Sequence, residues 1–504
     1  MRLLFVNAHV TTMDASRPYG RCLVVDDGRI ENVLDERPHG LARPLQVVDC
    51  HGGQIVPGFF DCHLHLTATG LLTGDHDLGP CRSVTAVLDR LRVLARSEEL
   101  IYAGNVDETT LADARLPTRQ ELDATTNTKP TMVSRVDGHS CIANSAALAL
   151  LGVDPRAEGV DRDAHGEPTG TLRGPVSYAA QADFVQTLPR TSLRRADRAA
   201  AQNALAAGIT TLHNVIEGER SYEELAEIYI DNAVLPLHVV SKSCTTSVEK
   251  ARRLGSKVFG GDIFVDGSIG SRTAAVSDTY VDGSGKGLLY LDREQLAMLF
   301  EEAAEAGLSP GVHAIGDVAI EQAIAAWEEV ARKRGSLQGL RPSIDHFEIA
   351  RPDHIERAAR IGLFLSMQPA FDYLWGGQRG MYERRLGSRA TSMNLCRTAQ
   401  HRGCVVCAGS DSPITKMSAL LGIHSLVNHH VASERMTIEE ALRAYTCDAA
   451  KLSYAEQQTG RLRAGMAADL VVLEKRLEDV RPDAIKDVRV MLTCVDGEIR
   501  YGAP

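Results

Sequence analysis

His63 and His65, in the segment PGFFDCHLHL, have the spacing of two side chains on one face of an extended strand. Imidazoles placed in this way reach one ion together, and their nitrogens suit zinc or a related divalent metal. A lone pair of this kind recurs by chance in many chains, so its company decides. His313 stands in GVHAIGD, His346 in SIDHFEI and Asp411 in AGSDSP, each at the end of a short apolar run. Four histidines and a carboxylate gathered at one place would form a nitrogen- and oxygen-rich metal site. A divalent ion held there lowers the pKa of bound water towards about 7, which makes hydroxide available in neutral solution. A carboxylate within hydrogen-bond reach can accept the proton of such a water.

These residues meet only if the apolar runs are neighbouring parallel strands. Eight runs, at 55–61, 209–215, 235–241, 262–266, 310–314, 343–347, 363–368 and 404–409, read as such strands. Helical stretches such as RADRAAAQNALAAG and REQLAMLFEEAAEAG lie between several of them and close on a glycine. The alternation predicts an α/β fold, a (β/α)8 TIM barrel, whose strand C-termini gather at the face where active sites form. Both chain ends read as short strands with Asp-Gly turns. Residues 1–56 plus 460–504 are therefore expected to build one small β-sandwich domain, and 57–459 the barrel. The stretch between the first two barrel strands is too long for a plain loop. It predicts an α/β subdomain inserted at about 67–205 that covers the barrel mouth.

The composition narrows the field further. Of 504 residues, 44% are hydrophobic and 24% charged, which excludes a mostly disordered chain. Lys plus Arg number 55 against 66 Asp plus Glu, a net charge of −11 with no basic block. That balance argues against nucleic acid and against anionic membrane surfaces as partners. No run of 18 apolar residues predicts a membrane span, and the opening MRLLFVNAHV is too short in apolar residues for a signal-peptide core. Eleven scattered cysteines fit reduced thiols and a cytoplasmic setting. Cys404 and Cys407, a CxxC in the run CVVCAG, read as part of a buried strand. The expected partners are a small-molecule substrate and, at most, a second copy of the chain in a homodimer.

The motifs IVPGFFDCHLH, PTRQELDATTNTKP, RVDGHSCIANSAAL, FVDGSIGSRTAA, VHAIGD, SMQPAF, AGSDSP and GRLRAGMAADLVVL span nearly the whole chain. Together they resemble the amidohydrolase superfamily of metal-dependent hydrolases, and within it the amidohydrolase family 3 or YtcJ-like branch that includes N-substituted formamide deformylases. The resemblance implies one or two divalent ions, zinc first among them. His63 and His65 would hold one, His313 and His346 a second, and Asp411 would ligate metal while moving the proton. Relatives usually carry a strand-four lysine, often carbamylated to bridge two metals, in a K-(L/I)-F-x-D-G pattern. Here the stretch is DIFVDG, so Asp262 stands in the lysine position. Asp262 is either a shorter bridging carboxylate or a polar residue at the strand start with no ligand role. Lys257 lies five residues upstream, in a register that makes it a poor substitute. Gly174 stands where relatives often have a glutamate. His139, Arg272 and Trp375, the last in the loop after the seventh strand, are candidates for contacting substrate. His213 reads as core, and His429 and His430 as inert residues of an exposed helix.

The chemistry expected is hydrolysis of a carbon–nitrogen bond in an amide, a formamide, or a cyclic amide or urea, by metal-activated hydroxide with Asp411 as general base and acid. One rival is a hydrolytic deaminase of the same superfamily. Single-metal deaminases add an HxxE on strand five, and here HAIGD lacks the glutamate. The other rival is a non-catalytic protein of the exoenzyme-regulator type, for which a full set of metal ligands has no use.

Overall fold

The computed structural model describes residues 2–37, 46–218 and 220–503. Residues 38–45, part of the segment expected in the terminal domain, lie outside the described residues.

Eight parallel strands form the centre of the fold. In chain order they are β1 (Phe59–Leu64), β2 (Ile209–Ile216), β3 (His238–Ser243), β4 (Val258–Phe264), β5 (Ser309–Ala314), β6 (Ser343–His346), β7 (Phe364–Met367) and β8 (Val405–Ala408). They divide into a three-stranded sheet, β3-β2-β1, and a five-stranded sheet, β4-β5-β6-β7-β8. The sheets adjoin at both edges, β3 beside β4 and β8 beside β1. This is a TIM-barrel-like α/β fold. Among its helices are α1 (Pro175–Thr187), α2 (Arg293–Glu305), α3 (Asp317–Arg334), α4 (Pro369–Trp375), α5 (Met381–Leu386) and α6 (Ala419–Val427).

Local sequence explains where these elements start and stop. Asp292 and Gln295 close a capping box at the head of α2, and α3 ends on Gly335 in the left-handed conformation. Strands β1, β5 and β6 are buried along their whole length, as both faces of a parallel sheet require. The main core joins Phe59, Ile209, Phe259, Val312 and Ile344 of the strands to Phe300 and Trp327 of the helices. The Phe300 and Trp327 rings stack with centroids 4.2 Å apart.

Several strand boundaries differ from expectation, among them the run at 235–241, which is a strand at 238–243, and two differ for a backbone reason. The run at 55–61 is shared between two sheets: Gln54–Pro57 pairs with Leu470–Leu473 of the C-terminal segment, and β1 begins only at Phe59. Gly58 makes the change of sheet, where a Cβ would lie 2.2 Å from the Thr210 side chain. Strand four was expected at 262–266 but runs over 258–264. The pair Gly260 and Gly261 resembles a break in sequence. Both have positive φ, +81° and +100°, and they form an irregularity inside the strand where the register with β5 shifts. Asp262 follows that irregularity. It is therefore near the C-terminal end of β4 and not at its start.

The terminal segments supply two sheets. One orders Arg29–Leu34, Cys22–Asp26, Arg2–Val6 and Gln46–Asp49; the other has six strands and includes Val490–Val495, Leu470–Leu473 and Gln54–Pro57. Leu3, Phe5, Leu23 and Val25 of the first share a core with Ile55, Leu470, Val472 and Leu492 of the second. Between β1 and β2 the insertion carries its own five-stranded sheet, built from Ile101–Val106, Thr131–Arg135, Ser140–Ala143, Val160–Arg162 and Pro168–Arg173. Among the described residues no helix is long and apolar enough to cross a membrane. The eleven cysteines are all free thiols, and Cys404 and Cys407 are buried at β8.

Candidate metal centre

The C-terminal ends of β1, β4, β5, β6 and the turn after β8 bring His63, His65, Asp262, His313, His346 and Asp411 together. Asp262 is the hub. Its Oδ2 lies 3.5 Å from His63 Nε2 and 3.4 Å from His65 Nε2. Its Oδ1 lies 3.3 Å from His313 Nδ1 and 3.6 Å from His346 Nε2. Asp411 Oδ1 closes the first group, 3.5 Å from His63 Nε2 and 3.1 Å from His65 Nε2. All these side chains are buried or nearly so.

Those separations test whether the residues fit metal ions. Ligand atoms about 2.1 Å from a tetrahedral centre lie about 3.4 Å from one another, which is the spacing found here. His63 Nε2 and both ring nitrogens of His346 are buried without a hydrogen-bond partner. Buried polar atoms are otherwise nearly always paired, so orphaned imidazole nitrogens converging on one carboxylate point to missing cations. The other ring nitrogens are set for that role. His63 Nδ1 bonds Asp345 Oδ1 at 2.8 Å, and His313 Nε2 bonds the Gly267 carbonyl at 3.3 Å. Each donates its N–H there and leaves a lone pair on the nitrogen facing Asp262. The donor set fits a divalent ion such as zinc.

The backbone is held to place these groups. His346 and Asp411 have φ of 73° and 55°, conformations that cost a non-glycine residue of order 1–3 kcal/mol each. Asp411 N–H donates to the His63 carbonyl at 2.7 Å, and His65 N–H to the Ser412 carbonyl at 2.8 Å. Gly409 allows this approach, since a Cβ would lie 2.6 Å from His63 N.

Within the cluster the charges lean on one another. Burial alone would raise the Asp262 carboxyl, but His63, His313 and His346 outweigh it and hold it well below the usual carboxylate range. Burial likewise opposes ionisation of Asp345, yet the neighbouring Lys242 ammonium and His63 bring it down to about 2. Lys242 is itself 1% exposed, with Nζ 3.8 Å from Asp345 Oδ1.

Two cavities open from the cluster. One, of about 300 Å³, is lined by His65, Asp262, His313, His346 and Asp411 together with His139 and Tyr178. The other, of about 420 Å³, shares His139, His346 and Asp411 and runs past Glu348, Phe371 and Trp375. The Tyr178 hydroxyl bonds His139 Nδ1, and the Tyr178 ring stacks on Phe264 at 4.4 Å. Burial pushes the His139 imidazole down to about 4, so it is neutral near pH 7.

The chain belongs to the amidohydrolase family. The family model matches residues 46–501. YtcJ of Bacillus subtilis is 29% identical, over 99% of this chain and 99% of its own. The N-substituted formamide deformylase of Arthrobacter pascens is 27% identical, over 99% of this chain and 98% of its own. A crystal structure of a metal-dependent hydrolase from Pyrococcus furiosus superposes with a TM-score of 0.73 at 25% identity, covering 96% of this chain and all of that one. Family and neighbours together support a metal-dependent hydrolase.

In this amidohydrolase not every residue expected at the site is there. Arg272 is turned away: its guanidinium bonds Asp282 at 3.0 and 2.9 Å, and it lines neither cavity. Its partner lies in the Gly-rich stretch 281–287, which reads only as an exposed loop. Trp375 does line a cavity, but from the end of α4 and not from a loop. Lys257 precedes β4 with Nζ 5.0 Å from the Tyr454 ring, at the end of the strand opposite the cluster. His429 and His430 are not on an exposed helix. They follow α6, His429 is 2% exposed, and both rings face the Asp372 carboxylate of α4. His213 is buried in the strand layer, 6.4 Å from the Phe60 ring.

Several residues at the cluster escaped sequence reading. Glu217 follows β2, with Oε2 3.7 Å from His65 Nδ1. Glu348 follows β6 and accepts from the Tyr382 hydroxyl at 2.6 Å. Both sit just past a strand C-terminus, the rule that found Asp411, and applying it to carboxylates as well as histidines would have marked them. Asp345 and Lys242 carried no comparable signal.

Proposed function

We propose that this chain hydrolyses the carbon–nitrogen bond of an amide, a formamide, or a cyclic amide or urea, with one or two divalent ions, zinc first. The observation that carries the reading is the division of Asp262: one carboxylate oxygen faces His63 and His65, the other faces His313 and His346. His63, His65, Asp262 and Asp411 complete four ligands at one position, whereas His313, His346 and Asp262 give three at the other. Catalytic zinc sites keep such an open place. We read the two parallel sheets as one closed barrel and the terminal sheets as one sandwich.

When bound, the ions polarise the carbonyl and lower the pKa of water to near neutrality. The chain supplies the rest. Asp411 lines both cavities and is placed to accept the proton of the attacking water and return it to the departing nitrogen. His139, neutral and fixed at Nδ1 by Tyr178, presents its Nε2 N–H as a donor to the substrate carbonyl oxygen. Asp345, backed by Lys242, fixes the orientation and tautomer of His63. The name of the Arthrobacter relative supports an N-substituted amide or formamide as substrate. Gly316 stands where a deaminase would show the glutamate of its strand-five motif, and the next residue, Asp317, accepts the Ser277 N–H at 2.9 Å, away from the cluster.

The test is a screen of zinc-loaded protein against N-formyl and N-acyl amines and cyclic ureas, scored by amine release before and after chelation. Amine release that chelation abolishes and zinc restores is expected. Release of ammonia from amidine-type substrates alone would make the protein a deaminase, and full turnover without metal would end the reading.

A further inference from the structure

The cavity that runs past Glu348, Phe371 and Trp375 differs from the other in the charges that line it. From His346 and Asp411 it runs past the packed rings of Phe371, Trp375 and Tyr382. The Trp375 centroid is 4.7 Å from Phe371 and 6.3 Å from Tyr382, so the passage is walled for an apolar or aromatic group. Beyond them it reaches Arg379, Arg384 and Arg385 on and beside α5. In a chain of net charge −11, the segment 379–389 holds four arginines and one acid, Glu383.

Those guanidiniums are under-neutralised. Arg385 and Arg272 share the single carboxylate of Asp282. Arg389 donates to the backbone carbonyls of Leu386, Asp278 and Thr279. Among the described residues, Arg379 and Arg384 form no ion pair; Arg384 Nη1 donates only to the Arg379 carbonyl, at 2.5 Å. Arg385 Nε is buried with no hydrogen-bond partner. A buried guanidinium N–H without an acceptor, beside two arginines that form no ion pair, leaves donors and positive charge on one cavity wall that an anion can meet.

We propose that this cavity takes an arm of the substrate with an apolar or aromatic body and a terminal carboxylate, which Arg379, Arg384 and Arg385 bind. The substrate class is then an N-acyl compound whose scissile bond lies at the cluster and whose anionic end lies at the arginine mouth. This rests on the hydrolase reading for the bond that breaks, but not for the binding of the arm. Exposed guanidinium–carboxylate pairs are individually weak, so their combined effect is about tenfold in affinity and is reduced by salt.

The experiment is calorimetric titration of zinc-loaded protein with 4-propylbenzoate and with the neutral ketone isostere 4-propylacetophenone, neither of which has a hydrolysable bond. The acid should bind about tenfold more tightly. The acid-to-ketone ratio should fall towards one in Arg379→Gln/Arg384→Gln, both exposed positions, and in wild-type protein at high salt. Equal binding of the two, or no binding of either, overturns the proposal. So does an acid preference that survives the double substitution, since the carboxylate would then be held by the metal cluster. Amine release from N-acetyl-4-(aminomethyl)benzoate is followed in parallel. Arginine-dependent binding without that turnover would remove the hydrolase reading and leave the anion site standing.

Discussion

Replacing Asp262 by alanine should remove one metal position and spare the other. The carboxylate is shared, with Oδ2 3.4 and 3.5 Å from Nε2 of His65 and His63, and Oδ1 3.3 and 3.6 Å from His313 and His346. Without it His63, His65 and Asp411 still offer three ligands. His313 and His346 are left as two imidazoles, short of the three protein ligands that catalytic zinc sites retain. Loss of an outer hydrogen-bond partner already costs roughly 10–100-fold in metal affinity, so loss of a direct anionic ligand should exceed about 100-fold. That corresponds to about 2.7 kcal/mol at the weaker position. The assay is metal content after gel filtration, with affinity from competition against a chromophoric chelator and a thermal melt to confirm folding. Reconstitution should also be indifferent to bicarbonate, because an aspartate is anionic at neutral pH without carbamylation. Unchanged stoichiometry and affinity in Asp262→Ala, or activation of wild type by bicarbonate, would refute the bridging role.

Asp411→Asn should lower kcat by at least about 10²–10⁴-fold with the fold intact, and near-normal turnover at saturating substrate would assign the proton to another group. Asp345→Asn removes the anionic acceptor of the His63 Nδ1–H and should weaken metal binding by about 10–100-fold; unchanged affinity would show that the contact does not orient His63. Asp197 is raised by burial to about 6 from 3.8 while accepting from the Thr67 hydroxyl at 2.7 Å. A raised carboxyl binds more protons folded than unfolded between those values, so it lowers stability as pH rises through that window, by at most about 3 kcal/mol above pH 7. The melting temperature of Asp197→Asn relative to wild type should therefore improve from pH 4 to pH 7.5, and a flat difference would contradict the sign.

Much of this was legible in the residues themselves. The two-residue spacing of His63 and His65, and the placing of His313, His346 and Asp411 after apolar runs, state the cluster because parallel strands bring their C-termini to one face. The role of Asp262 was half legible. Its type fits a ligand, but Gly260 and Gly261 read as a strand boundary and hid the irregularity that turns the side chain inward. Arg272 was misread because its partner Asp282 is set by the path of a loop, which no local pattern specifies. His429 and His430 look polar and exposed until α4 brings Asp372 against them. Lys242 lies one residue past the run expected at 235–241, and only the tertiary fold brings its Nζ within 3.8 Å of Asp345. The short strands at both chain ends were legible from Asp-Gly turns, whereas the change of sheet at Gly58 depends on Thr210, far along the chain.

The central claim is that Asp262 joins two metal positions. Crystals of zinc-reconstituted protein, measured on both sides of the zinc edge, test it most directly. Two anomalous peaks are expected, one among His63, His65 and Asp411 and one beside His313 and His346, each in contact with a different oxygen of Asp262. A single peak that leaves Asp262 without a metal contact, or no peak at these side chains, would contradict it.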